Sequence, residues 1–72
     1  MLKEIKEMPL NEISKQHDEL WSLLYMTRDI GMYQSFTWNG LDFWDADRRH
    51  HQLSQELVMR PLIELSKQQL KN

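Results

Sequence analysis

Helix-breaking and turn-forming residues are scarce in this chain: two glycines and two prolines among 72 residues. They stand as Pro9, Gly31, Asn39-Gly40 and Pro61, so the stretches between them are long. Proline and glycine are the strongest local punctuators of backbone structure. A chain with so few is confined to a small number of long elements, and a many-stranded sheet needs more turns than this. The length also excludes dinucleotide-binding, barrel and sandwich folds, which need more chain.

The stretch from Pro9 to Gly31 carries Leu10, Ile13, Leu20 and Leu24, with His17 between them. That three-and-four spacing predicts an amphipathic helix. Pro9 suits its first position, where the missing N–H has no partner to lose. Gly31 follows the last periodic residue, Ile30, where a left-handed cap is wanted. Within it, six of the seven residues from Leu20 to Met26 are apolar or aromatic. They cover every face of a helix rather than one stripe, and a helical pair buries only one face. That segment is the reason to expect a dimer or a docking surface.

Gly31 to Trp44 reads GMYQSFTWNGLDFW. Asn-Gly favours a type I′ hairpin turn, which pairs Trp38 with Leu41 and Phe36 with Phe43. The expectation is a miniature hairpin or an ordered aromatic loop closing one end of the helical pair. A second helix is expected to begin near Asp42 or Asp45, either of which can cap it. Its stripe is Ala46, His50, Leu53 and Leu57. Pro61 predicts a kink or break, because its ring clashes with the preceding turn. In outline, residues 1–72 form one small domain: an arm or short helix over 1–8, helix one over 9–31, the aromatic turn over 32–44 and helix two over 45–71. The fold class is all-α, an antiparallel helical hairpin whose second helix is kinked at Pro61. Two copies then approach a four-helix bundle as a homodimer.

Two eight-residue strings resemble each other, PLNEISKQ at Pro9–Gln16 and PLIELSKQ at Pro61–Gln68, with six positions identical. Two copies do not make a solenoid. Pro-Leu-x-Glu is a good helix start, with the acid near the positive end of the dipole; the alternative is a pair of equivalent edges used in symmetric association.

Composition narrows function chiefly by exclusion. There is no cysteine, so no thiolate nucleophile, disulfide or thiolate zinc site. Asp47 with His50 or His51 has helical ligand spacing, but two ligands do not make a metal site, and no metal or cofactor is expected. An antiparallel pairing of Gly31 with residues near 45 keeps His17 and His50 apart within one chain. Their meeting is expected only across a dimer, where it would make association pH-sensitive. With no glycine-rich phosphate loop and no nucleophile elbow, an enzyme is not expected. The charge is −2, from 9 basic and 11 acidic residues. Nucleic-acid binders usually carry a basic excess, and the acids Asp42, Asp45 and Asp47 offset Arg48 and Arg49. No apolar run reaches membrane-spanning length, and MLKEIKEMPL has no apolar signal core, which points to a cytoplasmic setting and no membrane contact.

Seven aromatics and five methionines remain. Much of this set must be core in so small a domain, yet it exceeds what one hairpin hides. Trp, Tyr and Met are also favoured at interfaces. The reading is a non-enzymatic protein-interaction module that binds a larger intracellular protein and modulates or inhibits it, by analogy with small bacterial and mobile-element regulators. The expected contacts are Trp21, Tyr25, Phe36, Trp38, Phe43 and Trp44, with Arg48 and Arg49 on the rim. The alternative is a small transcriptional or nucleic-acid-associated regulator working through Arg48, Arg49, Lys15 and Arg28.

Overall fold

The computed structural model describes residues 2–70, so the expected end of helix two at residue 71 lies outside the described residues. The chain is all-α: two helices, α1 (Leu10–Ile30) and α2 (Phe43–Leu70), packed against each other as a hairpin. Pro9 stands just outside α1, with ψ 157° following its ring-fixed φ of −68°. Its carbonyl accepts the N–H groups of Glu12 and Ile13, each at 3.1 Å. It is therefore the residue before the helix rather than the first within it. Gly31 closes α1 in the left-handed conformation, φ 78°, donating its N–H to the Thr27 carbonyl at 2.8 Å. Absence of a Cβ makes that conformation inexpensive.

The connector contains a 3₁₀ turn at Tyr33–Ser35 and the Asn-Gly turn. Asn39 and Gly40 have φ of 50° and 81°, as a type I′ turn requires. Trp38 and Leu41 exchange both backbone hydrogen bonds, at 3.0 and 2.9 Å. The ladder stops at that one bridge. Phe36 and Phe43 do not pair as strand residues, because Phe43 already begins α2; their rings meet edge-on instead, with centroids 5.8 Å apart. The cause is Asp42. Its carboxylate accepts the Asp45 N–H at 2.8 Å and its carbonyl accepts the Ala46 N–H at 2.9 Å, so the cap is Asp42 and the helix starts at once.

The core gathers Met8, Ile13, Leu20, Leu24, Trp38, Phe43, Ala46 and Leu53, with Leu2, Ile5, Phe36, Leu41 and Leu57 packed against it. Residues 2–8 return along α2 with a 3₁₀ turn at Ile5–Glu7. Two arginines hold this arm. Arg49 donates to the Lys3 carbonyl at 3.0 Å, and Arg60 donates to the carbonyls of Met8 and Ile5 at 2.6 and 3.0 Å.

Pro61 lies inside α2, which runs through it as one helix. The break expected there does not occur, although the proline leaves the Leu57 carbonyl without its helical donor and costs about 3 kcal/mol against alanine. PLIELSKQ is accordingly not a helix start, unlike its near-copy at α1.

Candidate functional site

The two histidines expected to stay apart in one chain stack on each other. The rings of His17 and His50 lie 4.5 Å apart at an interplanar angle of 22°. The expectation assumed helices lying side by side in even register. Contacts along the helices show otherwise: Arg28 reaches Asp47, while His17 meets His50 and Gln16 meets Arg49. His17 is thus level with His50 rather than with the region of Met59, and this register brings both stripe histidines to one point.

His50 is 9% exposed, and its Nε2 has no hydrogen-bond partner. Burial lowers its pKa below the ordinary 6.5, and the nearby His17, His51 and Arg28 lower it further, against the opposing pull of Asp47. Burial therefore favours its neutral form. Trp21 covers it, with centroids 5.8 Å apart, and Tyr25 follows Trp21 at 6.1 Å. These side chains, with Leu24, Arg28, Asp29, Asp47 and His51, line a groove of about 410 Å³ between the helices. Asp47 accepts from Arg28 at 3.0 Å and faces His51 at 3.5 Å.

A second aromatic group adjoins it. Tyr33 lies parallel to Trp44, centroids 5.9 Å apart, and edge-on to Phe43 at 4.8 Å. The Arg28 guanidinium sits 5.6 Å from the Phe43 ring centroid, linking the two groups. Trp44, Asp47 and His51 recur along one face of α2, as Trp21, Tyr25 and Arg28 do along α1.

Not every expected contact residue belongs to this surface. Trp21, Tyr25 and Trp44 are 56%, 63% and 65% exposed. Phe43 and Trp38 are core residues: both are buried, and the Trp38 indole donates to Glu19 at 3.4 Å. Phe36 is half-buried beneath them. Arg48 is exposed, 3.9 Å from Asp45. Arg49 is not a rim residue, since its guanidinium is bound to Gln16, Lys3 and the Met8 sulfur. Partial burial lowers its pKa, against the raising effect of Glu4. Reasoning from the sequence missed Tyr33, whose partners come from α2, and Arg60, which only the returning arm makes meaningful. Among the described residues no three histidine or acidic side chains converge as a metal set, and no helix is long and apolar enough to cross a membrane.

The chain matches no protein-family model, no curated protein and no solved structure. Its function is therefore argued from the surface alone.

Proposed function

We propose that the chain is a non-enzymatic protein-interaction module that binds a larger protein and modulates it through the face formed by Trp21, Tyr25, Tyr33 and Trp44. The observation that carries this reading is that three large aromatic side chains stand more than half exposed while held in ring contacts. Stacked aromatics lose little freedom on binding, and Trp and Tyr are the residues that most often dominate interface energies. The groove beside His50 gives a partner side chain somewhere to insert, and Arg28, Asp47 and Arg48 supply a polar rim. The nucleic-acid alternative draws on Lys15, Arg28, Arg48 and Arg49; two of these are engaged within the chain, by Asp47 and by the N-terminal arm, which favours the protein partner.

The test is capture from native lysate with the tagged chain, run with nuclease and at high salt. The reading expects one stoichiometric protein that the wild type retains and Tyr25→Ala loses. Retention unaffected by Tyr25→Ala and Trp44→Ala, or material that vanishes with nuclease and salt, overturns it.

A further inference from the structure

Every aspartate of the chain lies between His17 and Arg48, where Arg28 and Arg48 are the only lysine or arginine residues. The rest of the chain holds seven of the nine basic residues and five of the eleven acids. Negative charge is therefore concentrated in the part that also carries the exposed aromatics. Asp29 and Asp47 line the groove with Trp21 and Tyr25, and Asp42 lies beside Tyr33 and Trp44. Asp18, three residues before Trp21, is exposed.

The chain's own Arg28 shows how this surface takes a guanidinium. It pairs with Asp47 at 3.0 Å and lies 5.6 Å from the Phe43 ring centroid, so a carboxylate and a ring hold it together. Tyr25 and Asp29 offer the same pair of groups, four residues apart on one face of α1 and both exposed. Among the described residues Asp29 has no ion-pair partner. The combination is thus filled at Asp47 and Phe43 and unfilled at Asp29 and Tyr25. The groove wall also holds His50, 9% exposed, whose Nε2 lacks a hydrogen-bond partner, so a polar occupant suits it better than a purely apolar one.

We infer that Tyr25 and Asp29, with Trp21 beside them, receive an arginine side chain from a basic segment of the protein partner. The inference rests on the interaction-module reading and names what that partner presents. A guanidinium is planar, stacks on aromatic faces and donates paired N–H groups to a carboxylate. One such group therefore meets the ring and the acid at once. The surrounding aspartates steer a basic surface toward the face during approach and repel phosphate backbones. Salt screens the pairing but leaves the stacking, so the complex weakens at high salt without being lost.

Three acetylated, amidated peptides test it: Arg-Leu-Arg-Leu-Arg, Lys-Leu-Lys-Leu-Lys and Glu-Leu-Glu-Leu-Glu. The readout is the Trp21 indole N–H signal in proton–nitrogen correlation spectra, with buried Trp38 as internal reference. At low millimolar concentration the arginine peptide should shift Trp21 saturably, the lysine peptide should bind less tightly, and the glutamate peptide should leave Trp21 unmoved. Asp29→Asn should weaken the arginine peptide about two- to fivefold. Glu64→Gln, the same charge change in the last part of α2, should not. The proposal is overturned by equal shifts from the arginine and glutamate peptides, by a lysine peptide that binds as tightly, by no shift at all, or by equal losses in Asp29→Asn and Glu64→Gln. A Trp21 shift that follows the chain's own concentration and not the peptide assigns the face to a second copy and overturns it as well. Lysate capture that depends on Tyr25, with no peptide shift, sinks this inference alone; peptide binding without any such captured protein sinks the module reading alone.

Discussion

Phe43 and Trp44 are adjacent in the chain, yet Phe43 is buried at the first turn of α2 while Trp44 stands in solvent. Residue type cannot separate them; helix phase does, because successive positions point about 100° apart. Phe43→Ala is expected to cost about 3–5 kcal/mol in urea unfolding, whereas Trp44→Ala stays within about 1 kcal/mol. A cost at Phe43 no greater than at Trp44 would refute this burial pattern. His50 poses a different problem at the same scale. Its ring is packed between His17 and Trp21, with Asp18 hydrogen-bonded to His17 at 3.2 Å and Arg28, Asp47 and His51 close by. Because its folded pKa is depressed, the unfolded chain takes up the proton first. The stability linked to His50 is therefore complete above the ordinary value of 6.5 and falls as pH drops through and below it. Urea unfolding at about pH 7.5 and about pH 5.5 should show the acid sample less stable, with His50→Leu reducing the difference. Equal stability of the wild type at both, or a difference that His50→Leu leaves intact, would remove His50 from this role.

At the scale of elements, the starts and stops of α1 follow from local chemistry, and those of α2 only in part. Gly31 ends α1 and Asp42 caps α2 by side-chain and backbone geometry that a sequence announces. Asp42→Ala should lower stability by about 1 kcal/mol, measurable as a reduced thermal midpoint. The strings PLNEISKQ and PLIELSKQ mark the limit of such reasoning. The first opens α1 with Pro9 outside the helix, while the second is carried through the body of α2. Immediately before Pro61, Arg60 is fastened to the Ile5 and Met8 carbonyls. Those bonds tie α2 to residues far away in sequence, beyond the reach of any local pattern. Arg60→Met keeps the apolar stem and removes the donors. Amide exchange in residues 2–8 should then accelerate, with a stability loss of roughly 1.5–3 kcal/mol. Unchanged protection of that arm would show that Met8 packing alone retains it.

At the scale of the whole molecule, the exposed aromatic face is the surface proposed to bind a partner. Tyr25→Ala should leave folding stability within about 0.5 kcal/mol while weakening partner capture tenfold or more, about 1.4 kcal/mol in binding. A loss of capture that tracks a loss of stability would assign Tyr25 to the fold instead. Periodicity, the glycine stop, the Asn-Gly turn and the candidate caps were sufficient to determine two helices and an aromatic connector, because each rests on contacts within a few residues. The sequence also supplied the aromatic excess, and with it Trp21, Tyr25 and Trp44. What only the tertiary structure decided is the register of α1 against α2, the burial of Phe43 and Trp38, the meeting of His17 with His50, and the use of Arg49 and Arg60 to hold the arm. These depend on how one helix sits against the other. That fit is set by many side chains distant in sequence, and no local pattern encodes it.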